Sequence, residues 1–281
     1  IGGVSNNDVV LTATSGGCGN VVSIPAVTSP TGVTATVPVN TTDLTGLGVI
    51  AADFVVTYDP AVLNPATINV TAGTAASPGA TVTFNASVPG TIVISVFNGT
   101  VGGSFTGPGP LVNIAADVIG PLGTTALTVT GGGFNGGLVC SSSANGSIQV
   151  VQAATTTTVA SNVNPSTYGD TVTFTATVAS TPTVGNNGTV DFVIDSTTVC
   201  AAVAVNAGQA TCQTAALTVP GSPHVVNANY LGATNFAPSS GTLSGGQTVD
   251  RATSSTVISC PASVQYNGNA QEPCSAAVTG A

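Results

Sequence analysis

The chain has 281 residues, of which one is Lys or Arg, ten are Asp or Glu and one is His; Met and Trp are absent, and the formal net charge is −9 at neutral pH. Charged residues make up 4% of the chain, against about 25% in an ordinary soluble domain. Side chains that could serve acid–base catalysis or cofactor binding are therefore scarce, and a single cation leaves no footprint for nucleic acid.

The first residue is Ile1, and neither a basic n-region nor an apolar h-region follows it. That start predicts a mature product whose export signal has been removed. Asp8–Leu11 is a short apolar run and one candidate strand for donation to a neighbour. Hydrophobic residues are 42% of the chain and mean hydropathy is +0.47, yet Thr, Gly or Pro interrupts every apolar stretch. None approaches the roughly 18–20 residues of a spanning helix.

Period-two alternation dominates the rest, and no helical period holds for three turns, so the expected class is all-β. Strands are expected at about 34–39, 51–58, 81–84, 91–97, 112–118 and 125–129, then at about 171–178, 189–194, 209–217, 224–230 and 242–249. The clearest is the run in which Val172, Phe174, Ala176 and Val178 alternate with Thr171, Thr173, Thr175 and Thr177. One face is apolar, and the other carries β-branched Thr, which suits a solvated strand face. Many short strands without intervening helices predict tandem β-sandwiches.

An internal repeat places the boundaries. Ala154–Ser161 aligns without gaps on Ala252–Ser259, and Tyr168 and Tyr266 keep the same offset of 98 residues. That is close to the roughly 100 residues of one immunoglobulin-like sandwich. The expected domains are 1–152, 153–250 and an incomplete third unit or donor-strand segment at 251–281. The last is too short to bury a core by itself.

Six cysteines, with no Cys-x-x-Cys pair among them, predict three disulfides formed in an oxidising compartment. The expected pairs are Cys18 with Cys140, closing nearly the whole first domain, and Cys200 with Cys212 and Cys260 with Cys274, each closing a hairpin-sized loop. Asn40, Asn69, Asn85, Asn98, Asn145 and Asn187 head Asn-x-Ser/Thr sequons and are candidate glycosylation sites of an exported protein. Lys is absent, so neither Lys–Asn isopeptide bonds nor sortase-built pili can operate, and disulfides must supply the stapling.

Gly46–Leu63 (GLGVIAADFVVTYDPAVL), with Thr91–Phe97, Gly109–Ile114 and Gly123–Leu127, resembles the cohesin-like β-sandwich family, which includes the dockerin receptors of cellulosomes. The resemblance implies a jelly-roll sandwich over the first 150 residues or so, and it marks a fold more than a partner. Asn164–Val178 (NPSTYGDTVTFTATV), Gly188–Phe192, His224–Gly232 and Asn235–Phe236 resemble a bacterial immunoglobulin-like repeat. That resemblance implies a spacer or presenting module and no reaction.

The remaining candidates are weighed against bland roles. Asp53 and Asp59 lack the Asp-x-Asp-x-Asp loop of a calcium site, and Asp59, before Pro60, reads as a strand end. Asp191 and Asp195 have even spacing and should project from one strand face, but no aromatic platform for a sugar accompanies them. His224, the only imidazole, lies in a strand pattern without a Gly-x-Ser-x-Gly elbow or a free Cys. No catalytic residue, metal ligand or cofactor is expected. The leading reading is an extracellular, cell-surface structural subunit that polymerises with other copies of itself by β-strand addition. The alternative is an adhesin or scaffold fragment whose cohesin-like domain binds a dockerin-like protein or glycan.

Overall fold

The described residues of the first unit form eleven strands: β1 (Asn20–Ser23), β2 (Ala26–Pro30), β3 (Thr34–Thr41), β4 (Ala51–Thr57), β5 (Asn69–Ala72), β6 (Ala80–Asn85), β7 (Thr91–Asn98), β8 (Gly109–Asp117), β9 (Gly123–Phe134), β10 (Ser141–Ala144) and β11 (Gly146–Val151). In this computed structural model the described residues are 18–76 and 78–280, so Asp8–Leu11 lies outside them. The strands form two sheets, in the orders β10-β1-β3-β8-β5 and β2-β11-β9-β4-β7-β6. Alternation explains the sandwich. In β7, Ile92, Ile94 and Val96 point inward and share one core with Phe54 and Val56 of β4 in the same sheet and with Val37 and Val39 of β3 and Val112 and Ile114 of β8 in the other.

The unit's first and last strands run parallel to each other and change sheets together. Asn20–Ser23 pairs with Ser141–Ala144 in one sheet, and Ala26–Pro30 pairs with Gly146–Val151 in the other. Pro25, which has no amide hydrogen to donate, sits at the switch of the first strand. Gly146 sits at the switch of the last, where an added Cβ would stand 2.4 Å from the Ile24 carbonyl oxygen. The Cys18–Cys140 disulfide ties the two segments of the chain just before they pair.

The second unit begins at Gln152. Its strands are β12 (Thr155–Ser161), β13 (Ser166–Thr167), β14 (Val172–Ser180), β15 (Thr189–Ile194), β16 (Thr197–Ala204), β17 (Gln209–Thr214), β18 (Val226–Tyr230), β19 (Ser239–Thr242), β20 (Val249–Asp250), β21 (Ser254–Ser259) and β22 (Ser275–Gly280). Sheets β12-β14-β17 and β16-β15-β18-β19 enclose a core with Phe174, Phe192 and Tyr230 at its centre. β13 and β20 make a short parallel pair, and β21 and β22 an antiparallel hairpin whose every residue is exposed. The two units are thus tandem β-sandwiches.

Several expectations need correction. The strand expected at 242–249 is two strands, Ser239–Thr242 and Val249–Asp250, because Gly245 and Gly246 both adopt positive φ and turn the chain between them. The strand expected to reach Leu217 stops at Thr214. Cys200 and Cys212 are bonded as expected and close a short loop, with the added feature that they sit on β16 and β17, which belong to different sheets, so the bond crosses the sandwich. Cys260 and Cys274 are bonded at the loop end of the β21–β22 hairpin.

Candidate interaction face

The outer side of β9-β4-β7-β6 carries large apolar side chains into solvent. Strand alternation dictates which residues these are. With Ile92, Ile94 and Val96 inward, Val93, Ser95 and Phe97 must point outward. Register then sets their neighbours: Phe97 lies opposite Ala51 and Thr81, Ser95 opposite Asp53 and Thr83, and Val93 opposite Val55 and Asn85. Val93 is 48% exposed and Phe97 52%. Around them Thr81, Thr83 and Thr130 are exposed, and Gly131 and Gly133 leave a bare strip opposite Phe54 and Asp53.

Polar groups at the centre of this face are tied to each other. Ser95 Oγ donates to Asp53 Oδ1 at 2.6 Å, and at the far end of β4 the Thr57 and Thr128 hydroxyls are bonded across neighbouring strands. At one end of the face, Asn135 accepts at Oδ1 from the Ile50 and Ala51 amides, at 2.8 and 3.1 Å, and donates from Nδ2 to the Gly48 carbonyl at 2.9 Å. That clamp fixes the turn carrying Leu138, which is 88% exposed, beside the start of β4. A mostly uncharged face with apolar side chains at Val93 and Phe97 suits burial against a protein partner more than solvation.

The other candidates have local roles. Asp59 Oδ1 accepts from the Ala61 amide at 2.9 Å, and its carbonyl accepts from Val62 and Leu63, a capped strand end. Asp191 and Asp195 do not share a face: Asp191 accepts from the Ala202 amide at 2.6 Å, whereas Asp195 lies beyond β15 in the turn, at φ 46°, where alternation no longer applies. Its carboxylate instead meets His224 at 2.5 Å. His224 lies outside β18, bridged to Gln247 through both backbone groups. Among the sequons, Asn69, Asn85, Asn145 and Asn187 are exposed, Asn40 is half-buried, and Asn98 is buried, which removes it as an acceptor in the folded protein. Among the described residues no His, Cys, Asp and Glu cluster could hold a metal, and no helix is long and apolar enough to cross a membrane.

Known proteins place both units. The cohesin domain family matches residues 21–160, and the bacterial Ig-like domain (group 3) family matches residues 157–250. Similar solved structures include the sixth cohesin of scaffoldin B from Acetivibrio cellulolyticus, solved with a dockerin, at 23% identity over 47% of this chain and 99% of that one, with a TM-score of 0.42. A cohesin–dockerin complex from Clostridium thermocellum is 17% identical over 47% of this chain and 99% of that one, TM-score 0.41. A non-cellulosomal cohesin from Archaeoglobus fulgidus is 20% identical over 47% and 91%, TM-score 0.40. No curated protein matches the chain. The chain therefore carries a cohesin domain at residues 21–160 followed by a bacterial Ig-like domain (group 3) at residues 157–250.

Proposed function

We propose that this is an extracellular, non-enzymatic scaffold or adhesin component whose cohesin domain docks a dockerin-like protein on the outer face of β9-β4-β7-β6. The observation that carries this reading is the exposure of Val93 and Phe97 on one face of a domain from a partner-binding family. Three disulfides support an oxidising location, and the Ig-like unit serves as a spacer. Exposed Asn69, Asn85, Asn145 and Asn187 are the sequons open to glycosylation.

Residues 251–281 are read as the first strand pair of a further Ig-like unit, since β21 and β22 pair antiparallel as β12 and β14 do. The exposed hairpin is the one feature that favours strand addition between copies, and the cohesin match favours the docking reading over a homopolymer.

The test is calorimetric titration of the full chain with a panel of purified dockerin modules. Phe97→Ala should weaken any binding by about 30-fold, or roughly 2 kcal/mol, as expected for an aromatic anchor of an interface. Val225→Ala, which truncates an exposed residue of the other unit, should leave it unchanged. Absence of binding across the panel, or equal affinity of the Phe97 variant, would overturn the proposal.

A further inference from the structure

His224 is the chain's only imidazole, and both of its ring nitrogens face oxygen acceptors. Nδ1 is 2.5 Å from Asp195 Oδ2, and Nε2 is 2.7 Å from the Thr218 carbonyl. A carbonyl oxygen cannot donate, and an ionised carboxylate cannot either, so both nitrogens must carry protons for both contacts to be hydrogen bonds. A neutral imidazole has one N–H and would turn a lone pair toward the other oxygen. Asp195 is fixed independently, because its Oδ1 accepts from the Val225 amide at 2.9 Å.

We propose that His224, as an imidazolium, is a pH-operated latch that holds segment 215–223 of the Ig-like unit against the β15–β16 turn. The segment is otherwise held by buried Leu217, by half-buried Val219, which packs against the core, and by Ser222, whose Oγ accepts from the Val249 amide at 2.8 Å; the Thr218 carbonyl adds the hydrogen bond to the ring. Thr218, Val219 and Pro220 line a concavity with Tyr168 and Arg251, so loosening this segment would reshape that end of the unit. The groups around the ring are few. The β15–β16 turn contributes Asp195, and neither 215–223 nor 244–248, which meets His224 through Gln247, contains a titratable residue. Tyr168 and Arg251 are the ionisable groups across the concavity.

The charge balance agrees with the geometry. Burial pushes the His224 pKa down, but the hydrogen bonds to Asp195 and Thr218 and the Asp195 charge outweigh it, and the net shift is upward from 6.5. Asp195 is held below its usual 3.8, chiefly by its bond to His224. The tie is therefore complete at pH values below the ordinary imidazole value, down to where Asp195 protonates, and is lost as pH rises through the raised one.

Because the chain has one histidine, its ring resonances can be titrated by NMR in the intact protein without ambiguity. The expected result is a midpoint above 6.5, with the backbone amides of Val219 and Gly221 shifting at that same midpoint. Asp195→Asn should lower the midpoint while leaving the Phe174 and Tyr230 core resonances in place. A wild-type midpoint at or below 6.5, or Val219 and Gly221 amides that ignore it, would overturn the latch even if the Asn variant failed to fold.

Discussion

At Gly188 the backbone has φ +82°, and a Cβ would meet the Tyr230 ring at 2.5 Å and the Gly232 carbonyl at 2.6 Å. Two penalties coincide there, left-handed backbone and collision with a buried aromatic whose hydroxyl donates to the Asn187 carbonyl at 3.1 Å. Gly188→Ala should therefore cost roughly 2–4 kcal/mol, read as a lowered denaturant midpoint of the Ig-like unit. A loss under about 0.5 kcal/mol, ordinary for a surface change, would show that the turn relaxes freely. Single residues were the least legible level in the sequence. Asp195 looked like a partner of Asp191 because even spacing was extended past the last strand residue, Ile194, into a turn with positive φ. The His224–Asp195 contact joins residues 29 apart, across a loop with no periodicity to betray it.

Elements were legible in proportion to their one-sidedness. β14 alternates strictly, with Val172, Phe174, Ala176 and Val178 buried, and its place followed from pattern alone. β10 reads Ser-Ser-Ser-Ala and has no apolar face, and β16 is apolar from Val199 to Ala204 on both sides with only Cys200 and Val203 packed against the core; neither alternates, and each is a strand because a neighbour supplies its ladder. The interaction face was hidden for the opposite reason. Ile92–Phe97 is apolar at every position but Ser95, so composition could not separate inward Ile92, Ile94 and Val96 from outward Val93 and Phe97. Disulfides act at this level too. The Cys200–Cys212 bond links edge strand β16 to β17 across the core, and Cys212 is itself buried. Replacing both by Ala should lower stability by about 3 kcal/mol, from loop-closure entropy in the unfolded chain. Urea unfolding of the double variant against the oxidised parent checks this, and equal midpoints would mean that packing alone holds the two sheets together.

For the whole molecule, scarcity of charge has a measurable consequence. Among the described residues the one ion pair is His224–Asp195, and its histidine is buried, where salt screens it little. The other acidic side chains are spread over two sandwiches and mostly engaged with backbone amides or hydroxyls, as at Asp43, Asp53, Asp59 and Asp191. Cohesion then rests on β ladders, apolar cores and disulfides, none of which depends on ionic strength to first order. Self-repulsion from a net charge of −9 over 281 residues is also weak, because the charges are sparse and the Debye length at 0.1 M salt is only about 10 Å. Thermal unfolding at pH 7 should accordingly keep its midpoint within about 2 °C between roughly 20 and 300 mM NaCl, whereas an ordinary domain with surface ion-pair networks can shift further. Scanning calorimetry of the intact chain decides the point. A displacement of more than about 5 °C would mean that electrostatics contributes on the order of 1 kcal/mol, which would contradict a fold held by uncharged interactions.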